Sequence, residues 1–315
     1  MFAVAGVGDV GTFGVDAGVP DGDRLGRPAT VWGAQAESMR SAIAPLRSDF
    51  TFLDTTIRGA VRLRGGPWEM EIRPERGGRI TSLRLAGDEL LDQGIGVDDP
   101  SAPEFVAAGA FGWDELVPTV EVATYPAQGP FLGVHLPDHG EAWRHAWTVL
   151  EEAPSFAAMQ CSGNVLPWRL RRRMELGASA VRATYVFQNA GAHPLYAYWC
   201  AHPLFRYESD MQVGVGGVVQ RPGAGKSRKV FLRRGSVDQA RLRWRSGSAV
   251  DLVWDRELTP YVGIWICDGD LGGYRQIAIE PATGGGDRPH LAVPPPLLAP
   301  GEELSWWFEV RDARN

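Results

Sequence analysis

The chain has 315 residues, 44% of them hydrophobic and 22% charged, the balance of a globule long enough to bury a sizeable core. A formal net charge of -6 argues against a nucleic-acid or anionic-membrane partner and leaves a small molecule as the expected ligand. Three scattered cysteines, Cys161, Cys200 and Cys267, are too few for a disulfide framework and point to reduced thiols in a cytoplasmic setting.

Residues 1–49 are rich in Gly, Ala, Val and Asp. They lack a basic segment ahead of an apolar stretch, so they do not read as a secretory signal. Nothing along the chain approaches the ~20 uninterrupted apolar residues of a membrane span. We read 1–49 as a flexible N-terminal extension, with a weak helical pattern at residues 34–43 and Met39 as an alternative start. Residues 50–315 read as a single domain built from strands.

The first strands are short and partly alternating: Phe52–Ile57, Val61–Arg64, Trp68–Ile72 and, after the Gly77-Gly78 pair, Ile80–Leu85. A short helical pattern covers Ala102–Ala108. The segment Leu166–Leu176 is the clearest strand. Trp168, Leu170, Arg172, Met174 and Leu176 share one face on a period of two, and Arg169, Arg171, Arg173 and Glu175 share the other. With an acidic chain around them, these arginines read as a solvated strand face rather than a phosphate patch. Val181–Gln188 follows, and a further strand starts over Leu195–Trp199. Val230–Arg233, Ala240–Trp244, Val250–Trp254, Tyr261–Ile266, Ile277–Glu280 and Leu304–Val310 continue the series. Many strands, regular turns and no alternation with helices predict an all-β fold, one large antiparallel β-sandwich.

Three segments carry ionisable groups beside rigid turn residues. In Pro137-Asp138-His139-Gly140-Glu141, Pro137 fixes one backbone angle and Gly140 relaxes another, so His139 sits on a shaped turn and can donate to or accept from a ligand oxygen. His202 ends an apolar stretch and precedes Pro203, where an ionisable group is costly unless paired or used. Next to a carboxylate it can stay protonated at neutral pH and act as a general acid. Glu280 ends the apolar run Gln276–Ile279, and a carboxylate at a strand end facing a pocket is a candidate general base. Adjacent residues of an extended segment point oppositely, so only one of Asp114 and Glu115 can face a pocket. Twelve tryptophans offer flat faces for a sugar ring, although most are expected to fill the core.

Other chemistries fit less well. His135, His139 and His145 suggest a metal, but Pro137 and Gly140 oppose the helix that would bring His135 and His139 onto one face, and no further ligand completes a set. No metal and no other cofactor is expected. Gly223-Ala224-Gly225-Lys226-Ser227 has the end of a phosphate-binding loop, but Gln220 occupies the position of its first Gly. Lys226 and Lys229 are the only lysines, which gives Schiff-base chemistry little support. A Gly-x-Ser-x-Gly elbow is not evident.

In order and local context, His139-Gly140, His202-Pro203-Leu204-Phe205 and Glu280 resemble the aldose 1-epimerase (galactose mutarotase-like) family, over roughly residues 55 to 312. Gly77-Gly78-Arg79-Ile80-Thr81-Ser82-Leu83 is similar to its early Gly-rich turn and strand, and Gly112-Trp113-Asp114-Glu115 through Trp143 resembles a bacterial branch of it. The resemblance implies the large antiparallel sandwich called a supersandwich and a cofactor-independent isomerase of carbohydrate metabolism, monomeric or homodimeric. His202 would protonate the ring oxygen of an aldose, Glu280 would take the anomeric hydroxyl proton, and His139 would bind the sugar. The family's galactose-specific members carry an Asn-Arg pair upstream of the first His that is absent here. Arg79, with Arg76, is the candidate substitute, and Asp114 and Trp113 are the candidate further substrate contacts. Two other readings remain: a non-catalytic carbohydrate-binding protein on the same fold, and a hydrolase or lyase pairing Asp114 or Glu115 with Glu280.

Overall fold

The computed structural model describes residues 59–127, 129–217 and 219–314. The expected extension at 1–49, its helical pattern at 34–43 and the strand expected at Phe52–Ile57 lie outside the described residues.

The elements run β1 (Val61–Gly65), β2 (Trp68–Arg73), β3 (Arg79–Leu85), β4 (Asp88–Glu89), α1 (Phe105–Gly109), β5 (Trp113–Leu116), β6 (Ala123–Thr124) and β7 (His135–Leu136). Next come β8 (Thr148–Ala153), β9 (Phe156–Ser162), β10 (Trp168–Leu176), β11 (Ala180–Asn189), β12 (Leu195–Tyr196), β13 (Cys200–Pro203), β14 (Phe205–Arg206) and β15 (Gln212–Gly214). The last are β16 (Lys226–Phe231), β17 (Gln239–Arg243), β18 (Ala249–Trp254), β19 (Tyr261–Asp268), β20 (Arg275–Ala282), β21 (Leu297–Leu298) and β22 (Glu303–Asp312).

Two large antiparallel sheets account for most of these strands. One has the order β1-β2-β3-β5-β13-β20-β19-β16, with β4 on β3 and β14 on β20. The other has the order β15-β17-β18-β22-β11-β10-β9-β8. Their facing sides share one apolar core of Trp, Leu, Ile, Val and Phe side chains. The strand at Leu166–Leu176 shows the predicted alternation, and Arg172 is buried on the apolar face. That burial is explained by Glu115. Arg172 Nη1 donates to Glu115 Oε1 at 3.0 Å, and Tyr185 Oη (2.9 Å) and Trp199 Nε1 (2.8 Å) complete the carboxylate's partners.

Several sequence expectations shift in detail, among them the strand expected at Val230–Arg233, which is β16 and runs from Lys226 to Phe231. The helix covers Phe105–Gly109 rather than Ala102–Ala108, because Pro103 precedes it and the Phe105 N–H is taken by Asp138 Oδ2 at 2.7 Å. The strand expected across Leu195–Trp199 divides: Leu195 and Tyr196 pair with β21, and the chain joins the first large sheet only at Cys200. Among the described residues no helix is long and apolar enough to cross a membrane.

The first sheet's outer face carries a second, smaller apolar cluster. It includes Phe105, Leu116, Trp143, Tyr198, Cys200, Ala278 and Ala282, with Tyr261 and Trp265 half-buried against it. Period-two alternation puts Asp114 of β5, His202 of β13 and Glu280 of β20 on this same face.

Candidate active site

His202 pairs with Asp114 across β5 and β13, and Cys200 pairs with Ala282 across β13 and β20. The three central strands therefore bring Asp114, His202 and Glu280 into one row. His202 Nε2 lies 3.7 Å from Glu280 Oε1, beyond hydrogen-bond range. Both side chains are almost fully buried, yet His202 Nδ1 and Glu280 Oε1 have no hydrogen-bond partner. Unpaired buried polar atoms are costly, and two of them on facing ionisable side chains make this row the candidate site.

The sequence placed His202 as a protonated acid at neutral pH, and the structure corrects this. Burial pushes the imidazole well below its usual range, and the positive charges of His139, Lys229 and Arg79 add to the effect. Burial moves Glu280 the other way, above the usual carboxylate range, with Lys229 opposing. The two shifts have opposite sign because burial disfavours the charged form of each group.

His139 reaches the site from a turn. Its φ is +55° and that of Gly140 is +71°, the left-handed region that Gly adopts freely. A Cβ on Gly140 would lie 2.2 Å from the Val117 carbonyl oxygen, so no larger residue fits this crossing. The His139 Nδ1–H donates to Asp138 Oδ1 at 2.9 Å, which leaves Nε2 as its outward nitrogen. Burial raises the Asp138 carboxyl, but the bonds from His139 and Phe105 outweigh it and hold its pKa below the usual range. The Phe105 ring stacks on His139 at 4.3 Å and stands 5.2 Å from His202, so it sets both imidazoles.

Arg79 and Asp114 are brought together as a buried fork. Arg79 Nε lies 3.1 and 3.0 Å from the two Asp114 oxygens, Nη2 lies 3.0 Å from Oδ2, and Nη1 donates to the Gly109 carbonyl at 2.9 Å. The guanidinium packs over Phe111 at 4.6 Å. Arg79 is 2% exposed and Asp114 is 0% exposed, so the pair is closed to solvent and is not an open contact surface. Arg76 instead pairs with Asp98. A groove of about 470 Å³ over β1 to β3 is lined by several arginines, but Arg62, Arg64 and Arg73 are already matched there by Glu69 and Glu71.

Trp113 is not at the site. The alternation that turns Asp114 outward turns Trp113 inward, where it lies against Phe308 of the opposite sheet at 5.2 Å. Glu115 is also inward, tied to Arg172, which removes it from the hydrolase reading; Asp114 stays on the face of Glu280, with both its oxygens bound by Arg79. The half-buried aromatics on the site face are Tyr261 and Trp265, which flank Gly263; Gly263 pairs with Glu280 across β19 and β20.

Two charged residues escaped the sequence reading. Lys229 Nζ lies 2.6 Å from Glu280 Oε2 and 2.6 Å from Asp287 Oδ1. The Asp287 main chain is held by Val120 and Glu121, whose N–H groups donate to its carbonyl at 2.8 and 2.9 Å. The scarcity of lysine and the Gly within an apolar strand were the available signals, since Gly there often marks a close approach. Among the described residues no group of three or more His, Cys, Asp or Glu is placed to hold a metal.

No family model and no curated protein matches the chain. Solved structures do. The Slr1438 protein of Synechocystis sp. PCC 6803 superposes with a TM-score of 0.69 at 15% identity, over 85% of this chain and 100% of that one. A galactose mutarotase-like protein of Lactobacillus casei ATCC 334 gives 0.60 at 16% identity, over 80% and 99%. An aldose epimerase homologue of C. elegans gives 0.58 at 11% identity, over 80% and 98%. The chain has the galactose mutarotase-like fold.

Proposed function

We propose that this galactose mutarotase-like sandwich interconverts the α and β anomers of an aldose by acid–base ring opening. The observation that carries the reading is the facing pair His202 Nε2 and Glu280 Oε1, 3.7 Å apart and without a shared hydrogen bond. An anomeric centre offers what they lack: a hydroxyl proton for Glu280 and a ring oxygen for His202.

In the forward step Glu280 Oε1 takes the proton from the anomeric hydroxyl. The C1–O1 bond becomes a carbonyl, the C1–ring oxygen bond breaks, and the ring oxygen takes a proton from His202. Rotation about C1–C2 presents the other carbonyl face, and the reverse transfers close the ring. The site therefore carries one proton through the cycle, on His202 before ring opening and on Glu280 in the open-chain form; because burial depresses the imidazole, that proton is taken up from solvent as the sugar binds. His139 offers Nε2 to a neighbouring hydroxyl, with its other nitrogen fixed by Asp138. Tyr261 and Trp265 supply the apolar surface for a sugar ring face.

The test is exchange NMR on a panel of free aldoses at equilibrium. Cross-peaks between anomers that grow faster with protein than without it support the reading. Ligand line-broadening with no added exchange supports a carbohydrate-binding protein instead.

A further inference from the structure

We propose that Lys229 is a positioning residue: its ammonium occupies Glu280 Oε2, keeps the buried carboxylate ionised and leaves Oε1 as the only oxygen free to move a proton. The inference rests on the acid–base reading of Glu280 given above.

The geometry is specific. Lys229 lies on β16, a strand away from Glu280 on β20, with β19 between them. Its side chain crosses β19 at Gly263. A Cβ on Gly263 would lie 2.8 Å from Glu280 Oε2 and 3.2 Å from Lys229 Cε, so the missing side chain is the passage. At the far end the ammonium is 2.6 Å from each of Glu280 and Asp287, and the Lys229 side chain as a whole is 18% exposed. A base at the bottom of an apolar site faces a conflict, because burial favours its neutral form, which cannot accept a proton. A fixed cation 2.6 Å away opposes that effect and favours the ionised form. The same contact breaks the symmetry of the carboxylate, since Oε2 is tied and Oε1 is not.

The charged and titratable groups around Glu280 come from four elements. They are Lys229 on β16, Asp287 on the loop after β20, His139 on the turn after β7, and His202 and Cys200 on β13 with Tyr198 just ahead of it. Burial opposes the charge on Lys229, but Glu280 and Asp287 together outweigh it and hold the amine well above its usual range. It is therefore a permanent cation and not a nucleophile. Lys229 lowers the Glu280 pKa and Asp287 raises it, so the two neighbours predict effects of opposite sign.

The experiment follows the side-chain carboxyl carbon of Glu280 by NMR in protein labelled with 13C at Glu, assigned by its loss in Glu280→Gln. Lys229→Met moves the midpoint up by about one pH unit or more, and Asp287→Asn moves it down. On anomer exchange, the acid limb of the rate against pH shifts up with Lys229→Met, and Lys229→Arg restores part of it. Asp287→Asn leaves the Lys229–Glu280 pair in place and keeps the test open if Lys229→Met does not fold. An unchanged Glu280 midpoint in Lys229→Met, or shifts of the same sign in both variants, overturns the proposal. Because the titration needs no substrate, a wild type without exchange activity but with these opposite shifts refutes the catalytic reading and leaves the placement of Lys229 standing.

Discussion

Glu280 Oε1 and His202 Nε2 face one another at 3.7 Å across two neighbouring strands, and the carboxylate oxygen has no hydrogen-bond partner. The anomeric hydroxyl oxygen and the ring oxygen of an aldose share one carbon, so the first can lie about 2.8 Å from Oε1 while the second lies at a similar distance from Nε2. Substitution by near-isosteres tests that arrangement without emptying the core. Glu280→Gln and His202→Gln should each lower the rate of anomer exchange by about 10²- to 10⁴-fold, with far-ultraviolet circular dichroism unchanged.

The site-face aromatics and the inward tryptophan should separate cleanly. Trp265→Ala should weaken sugar binding with little change in unfolding temperature, because Trp265 is only half buried. Trp113→Ala should cost about 3–5 kcal/mol of stability, since its ring fills the space against Phe308. Titration with sugar and denaturant unfolding of the two variants measure the difference.

The ion pair between the sheets makes a third prediction. Arg172 and Glu115 are both fully buried, and Glu115 also accepts from Tyr185 and Trp199. Removing one partner leaves a buried charge unmatched, so Glu115→Leu or Arg172→Met should each cost about 3–5 kcal/mol. The double variant should recover part of that loss. Denaturant midpoints of the two single variants and the double variant check it.

His202 also predicts a pH dependence of stability. Its folded-state pKa lies well below the unfolded value of 6.5, so below pH 6.5 the unfolded chain binds a proton that the folded chain refuses. Stability is therefore lost as pH falls from 6.5 toward the folded pKa. His202→Gln should flatten that loss. Thermal melts from pH 7.5 down to 5 for both proteins give the comparison, and parallel curves would contradict the assignment.

The strands were legible because alternation is local. The Leu166–Leu176 segment placed even Arg172 on its apolar face, and the rule of opposite neighbours separated Asp114 from Glu115. What alternation does not give is which face points where. Trp113 and Asp114 could not be told apart until Phe308 and Arg79 arrived from distant strands. Glu280 and His202 stood out because each is an ionisable group in an apolar setting. Lys229, Asp287 and Phe105 did not, since their roles exist only once β16, β19 and β20 lie side by side and α1 closes over the turn at His139.

The most direct test of the central claim is exchange NMR on equilibrated aldoses with wild-type protein and Glu280→Gln at matched concentration. The account predicts anomer exchange well above the spontaneous rate with the wild type and a return to near that rate with the variant. Equal exchange with both proteins would contradict it, because it would place the proton transfer on a group other than Glu280.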